Sequence, residues 1–123
     1  MELSKRVKLY NEKFPDYPSL FVDGGFILGY WMIGNYYQNR TNYHGEYPHS
    51  YLERVTTMFP NCNSPLHLFS GSLREKDVSK KAIRLDIQMD NDGVDPDVVG
   101  DAEELSNLFI NNSFDIVYAD PPY

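Results

Sequence analysis

Little in this sequence invites a covalent cross-link, a membrane anchor or a cationic tail. It holds a single cysteine, Cys62, which cannot form an internal disulfide and fits a reducing compartment. No apolar run approaches the roughly 20 residues that cross a bilayer, so a spanning helix is excluded. The opening Met1-Glu2-Leu3-Ser4-Lys5-Arg6 has no apolar signal-peptide core behind it. The expected location is therefore cytoplasmic, with no membrane partner. Basic residues are missing altogether from residue 86 onward. Residues 86–123 carry 10 Asp/Glu and no Lys or Arg, whereas residues 1–85 carry 11 Lys/Arg against 8 Asp/Glu. An acidic stretch of this kind repels a phosphate backbone, so any nucleic-acid contact has to come from the first two thirds or from another chain. Cys62, His44, His49 and His67 lack the paired short spacings of a zinc site.

What is present is enough for one folded domain. The 123 residues are 41% hydrophobic and 15% aromatic, which supports a buried core and excludes general disorder. Leu3, Val7, Tyr10 and Phe14 recur at helical spacing behind Ser4, a candidate cap, and predict a helix over about 4–13 that Pro15 and Pro18 terminate. Two β-rich runs, 19–23 and 26–33, flank Gly24-Gly25 and predict a hairpin. Residues 34–48, rich in Gly, Asn and Tyr, read as a loop. The aromatic cluster Tyr30-Trp31, Tyr36-Tyr37 and Tyr43 suits core and loop packing better than base stacking. Ser50 and Glu53 stand at capping-box spacing before a helix whose apolar face is Tyr51, Leu52, Val55, Met58 and Phe59.

From residue 66 the pattern changes to short apolar strands alternating with polar segments. Leu66–Phe69, Ala82–Ile87 and Val98-Val99 are followed by a helix that Asp101 and Glu104 would cap as a box, with Leu105, Leu108 and Phe109 inward. Phe114–Ala119 is a near-continuous apolar strand, as in a sheet buried on both sides. Strands alternating with helices define an open α/β sheet, whose ligands bind at the carboxyl ends of the strands. Four features stand at those ends. Ser70-Gly71-Ser72 lets backbone N–H groups approach a ligand closely. Asp86, 15 residues after Gly71, sits where an acid accepts from ribose hydroxyls. Gly100-Asp101-Ala102 and Asp120-Pro121-Pro122-Tyr123 end the other two strands. Asp90-Asn91-Asp92-Gly93 resembles part of a calcium loop, but that register puts Gln88 and Val99 where carboxylates are required.

With these residues in this order, the chain resembles the class I S-adenosylmethionine-dependent methyltransferases, in particular the amino-methylating group that carries Asp/Asn/Ser-Pro-Pro-Tyr/Phe. Asp120-Pro121-Pro122-Tyr123 matches that signature in full. The resemblance implies a partial Rossmann-like methyltransferase sheet of about four mainly parallel strands with flanking helices, after an N-terminal helix and β-hairpin. It implies an extension over 1–42 and the cofactor-binding half of a methyltransferase domain over 43–123. Asp120 and the Pro121 carbonyl would accept from an exocyclic amine, Pro122 would stiffen the turn and Tyr123 would stack on the base. Phe69, Ser70, Gly71 and Ser72 correspond to the glycine loop under the methionine part of the cofactor. Asp86 corresponds to the ribose acid, and Asp101 with Ala102 to the adenine contacts. Tyr43-His44-Gly45-Glu46-Tyr47-Pro48, with Tyr47 and Pro48 at its end, corresponds to the motif that closes over the cofactor's carboxylate.

The glycine loop has one glycine where the family has two or three, and about ten residues link it to the next strand. The family's sheet has seven strands, whereas four are read here, so the chain is expected to be incomplete for catalysis. The expected acceptor is a DNA base flipped out of the duplex, with RNA, a protein glutamine or a small amine as alternatives. A second chain completing the sheet, or self-association through an open strand edge, is the other expected partner. The competing function is a catalytically silent binding or assembly module.

Overall fold

The computed structural model describes residues 1–31, 47, 50–91 and 93–119. The sequence readings that fall on Tyr43, His44, Gly45, Glu46, Pro48, Asp120, Pro121, Pro122 and Tyr123 lie outside the described residues. The rest form two compact units, one from residues 1–31 and 50–61, the other from Tyr47, 62–91 and 93–119. This division differs from a boundary at 42/43, because the second helix belongs with the first.

The first unit is built on α1 (Leu3–Lys13), whose buried Val7 and Tyr10 gather Phe14 and Leu20 into one cluster. The helix starts one residue before Ser4, with Glu2 at its cap position and no side-chain cap. The amide of Asn11 holds the chain after the Pro15–Pro18 break. Its Nδ2 donates to the Leu20 carbonyl, and the Leu20 N–H donates to its Oδ1, both at 2.9 Å. Strands β1 (Phe21–Asp23) and β2 (Phe26–Leu28) form the expected antiparallel hairpin. Gly24 and Gly25 at its tip have φ of 56° and 82°, the positive pair that a tight hairpin turn needs.

Helix α2 (Tyr51–Met58) follows. The capping box expected from Ser50 and Glu53 is not formed. Ser50 has φ 64° and makes no side-chain cap bond, while Glu53 turns away to meet Lys13 at 3.1 Å. The inward face also differs from the expected one: Arg54 is buried beside Val55, and Phe59 is exposed. The Arg54 guanidinium lies 3.9 Å from the ring centroids of both Tyr17 and Trp31. Its Nε donates to the Tyr10 hydroxyl at 2.7 Å. A planar, weakly hydrated cation is suited to such stacking.

The second unit is an α/β arrangement around a parallel sheet of β3 (Pro65–Leu68), β4 (Ile83–Asp86), β5 (Val98–Val99) and β6 (Ile116–Ala119). The spatial order is β5-β4-β3-β6. Numbered from β3, that is 3-2-1-4, consistent with part of a Rossmann-like sheet in which the order reverses beside the first strand. A single 3₁₀ turn, Glu75–Asp77, is the only regular element between β3 and β4, so this short crossover carries no α-helix.

Leu66, Leu68 and Leu85 form the core of one sheet face. They are covered by a 3₁₀ turn (Ala102–Glu104) running into α3 (Leu105–Leu108), and by Phe109 and Phe114. Asp101 caps this segment, its carboxylate accepting from the Glu103 N–H at 2.9 Å rather than from Glu104. The opposite face carries His67 and Arg84, paired in register. At the start of β3, Asp115 accepts from the N–H groups of Asn63 and Ser64, each at 2.9 Å. Strand β6 departs from the expected two-sided burial. Tyr118 is buried, but Val117 is 53% exposed and Ala119 is exposed; among the described residues β6 pairs with β3 alone.

Candidate functional site

The chain leaves β3 through a turn with two residues in the left-handed region. Phe69 has φ 54° and Gly71 has φ 50°. For glycine this costs little, while for a bulky residue it is strained backbone that the surroundings must hold in place. Two main-chain bonds hold it: the Ser70 N–H donates to the Leu85 carbonyl at 3.0 Å, and the Ser70 carbonyl accepts from the Leu73 N–H at 2.9 Å.

A third bond comes from Asp86, at the tip of β4. Its Oδ2 accepts from the Gly71 N–H and its Oδ1 from the Gln88 N–H, both at 2.9 Å. Its carbonyl accepts from the Gly100 N–H at 3.0 Å. One residue thus ties together the segments that follow β3, β4 and β5. Each carboxylate oxygen keeps an acceptor position after these bonds.

The three segments enclose a pocket of about 300 Å³, at the small end of the range for ligand sites. Phe69, Gly71, Asp86, Asn91, Asp101 and Ala102 are among its lining residues. A Cβ at Gly100 would come 2.7 Å from a Leu108 methyl, a contact that a shift of that partly exposed side chain would relieve.

Of the residues singled out in the sequence, Phe69, Gly71, Asp86, Asp101 and Ala102 meet at this pocket. Ser70 and Ser72 do not line it. The Ser70 hydroxyl is buried without a partner among the described residues. Tyr47 lies elsewhere in the unit. Its hydroxyl is 2.9 Å from His67 Nδ1, and its ring neighbours Tyr118.

His67 itself stacks on Tyr118 with centroids 4.7 Å apart. Burial, with the Arg84 charge adding to it, lowers its pKa to about 4, so the ring is neutral at pH 7 and behaves as a satisfied core histidine. Arg84 is engaged by Asp97 in a two-pronged pair, Nε to Oδ2 at 3.1 Å and Nη2 to Oδ1 at 3.0 Å. Burial raises the Asp97 pKa, but the hydrogen bonds and charge of Arg84 outweigh it and leave the group below the usual carboxylate range.

Sequence reasoning missed Asn91, which sits in the acidic loop after β4. The turn-forming Asp-Asn-Asp-Gly run was the available signal, but it was weighed only as a calcium loop, whose register fails. In the fold, the Asp90 carboxylate accepts from the Gly93 N–H at 3.1 Å, and Asp95 accepts from the Asp90 N–H at 2.8 Å. Both brace the loop backbone. No protein-family model matches the chain, and neither a curated protein nor a solved structure shows significant similarity to it.

Proposed function

We propose that the unit built on the parallel sheet, from residue 62 onward, forms the cofactor-binding part of an S-adenosylmethionine-dependent methyltransferase that acts on an exocyclic amine, with a DNA base as the favoured acceptor. The observation that carries this reading is the convergence of Gly71, Asp86 and Asp101 on one pocket at the carboxyl end of a parallel sheet ordered 3-2-1-4. In such sheets, nucleotides bind at this end. The residues present fit the cofactor. Asp86 retains one acceptor position on each oxygen for the two ribose hydroxyls. The left-handed Gly71 brings main chain rather than a side chain to the ligand, and Phe69 supplies an apolar wall.

The bound cofactor supplies a methyl group on a sulfonium. The chain's own work is to hold the nucleoside through Asp86 and to present acceptors to the amine. By the resemblance, those acceptors are the Asp120 carboxylate and the Pro121 carbonyl, with Tyr123 stacked on the base. Paired acceptors stabilise the positive charge that develops on the attacking nitrogen.

Calorimetric titration of S-adenosylmethionine into the wild type and Asp86→Ala tests the reading. Loss of two charged hydrogen bonds is expected to weaken binding by more than about tenfold. Equal affinities, or no binding to the wild type, would overturn it. A second reading, a silent assembly module, is favoured by the apolar exposure of Val117 on β6. Cofactor binding that is accompanied by methyl transfer to DNA, and by loss of that transfer in Asp120→Ala, selects the enzyme.

A further inference from the structure

The free cations of the sheet unit stand on one short stretch. Among its described residues the unit has five basic side chains, Arg74, Lys76, Lys80, Lys81 and Arg84. Arg84 is buried and locked to Asp97. The other four are exposed on the crossover between β3 and β4. Their side chains make no ion pair or hydrogen bond among the described residues, although Glu75 and Asp77 alternate with them. The stretch is anchored at both ends by the buried Leu73 and Ala82. The Leu73 carbonyl accepts from Arg84 Nη1 at 2.9 Å. The Asp77 N–H donates to the Arg74 carbonyl and the Ala82 N–H to the Ser79 carbonyl, each at 3.0 Å. A braced backbone thus presents four cations that are already free of partners.

From residue 86 onward the unit carries acids and no Lys or Arg. A polyanion that approaches it is repelled there and attracted at the crossover alone. The resemblance assigns no role to these residues. We infer that the 74–81 crossover is the phosphate-contacting surface of this unit, taking the backbone of a nucleic acid through Arg74, Lys76, Lys80 and Lys81. The choice of nucleic acid as the partner rests on the proposed DNA acceptor, whereas the surface lies outside the pocket. Contacts of this kind position a nucleic acid without reading its sequence.

The test is the fluorescence anisotropy of a labelled DNA duplex titrated with the full chain at several salt concentrations. Log affinity should fall with log salt by about 0.9 for each phosphate neutralised. Lys80→Gln/Lys81→Gln is expected to reduce that slope by about 2, and Glu75→Gln/Asp77→Asn to tighten binding. Lys5→Gln/Lys8→Gln, at exposed positions of α1, changes the net charge equally and should leave the slope as in the wild type. No binding by the wild type at low salt, or an equal loss of slope in both lysine pairs, overturns the inference. Salt-sensitive self-association that Lys80→Gln/Lys81→Gln abolishes, without DNA binding, also overturns it and assigns the stretch to the acidic surface of a second copy. None of the substituted residues lines the pocket, so titration of S-adenosylmethionine into the same proteins reports separately on the cofactor reading.

Discussion

His67 shows what a single buried side chain does to the whole energy balance. Its folded-state pKa of about 4 lies below the ordinary 6.5, because protonation would place a charge in the core beside Arg84. Between those values the unfolded chain binds a proton that the folded chain refuses, so stability rises with pH across the interval. As pH falls from about 6.5 towards 4, His67 is expected to remove about 3 kcal/mol, with no further loss from it below that. Asp97 acts in a lower window. Its depressed pKa contributes stability above the ordinary carboxylate value of 3.8 and is lost only as pH falls beneath it. Protection factors of the β3 amides, with the intrinsic pH dependence of exchange divided out, should therefore fall from pH 7 to pH 4, and His67→Gln, which keeps an acceptor for the Tyr47 hydroxyl, should flatten that dependence. A wild-type profile with no slope in the interval would contradict the assignment of a neutral, buried ring.

At the scale of elements, the Arg84–Asp97 pair fastens β4 to the segment that leads into β5. It has side-chain bonds at both prongs, and the Arg84 Nη1 also donates to the Leu73 carbonyl at 2.9 Å. Removing the carboxylate leaves a buried cation without its counter-charge, which typically costs 3–5 kcal/mol. Asp97→Asn is accordingly expected to lower stability by about 3 kcal/mol in denaturant titration, and a loss below about 1 kcal/mol would show the pair to be solvated.

The elements themselves were largely legible in the sequence. Apolar spacing located α1, α2, the hairpin and all four parallel strands, because core faces have to follow the helical or strand period. The pocket acids were legible because glycine and aspartate fall at strand ends. The caps were not. Ser4 and Ser50 have the right chemistry, but neither makes a cap bond, since the path of the incoming chain decides the geometry. Arg54 and Arg84 were also illegible, because a pattern that treats arginine as solvated cannot anticipate a guanidinium held between aromatic rings or locked to a carboxylate.

For the molecule as a whole, charge and exposure are unevenly placed. The net charge is −7, with the acidic excess in the residues that follow β4. The described sheet ends at β6, where Val117 presents an apolar side chain on a strand that pairs on one side. Apolar strands with one unpaired edge are templates for association, and a charge there suppresses it. Sedimentation velocity at rising concentration is expected to show self-association that Val117→Lys weakens. Identical sedimentation of the two proteins would assign that face no role in assembly.

The cation cage around Arg54 has a practical consequence. Trp31 is the protein's one indole, and it lies against that guanidinium in the unit built on α1 and α2. Intrinsic tryptophan fluorescence therefore reports on the guanidinium and aromatic rings of that unit, and its emission is expected to change when Arg54 is replaced.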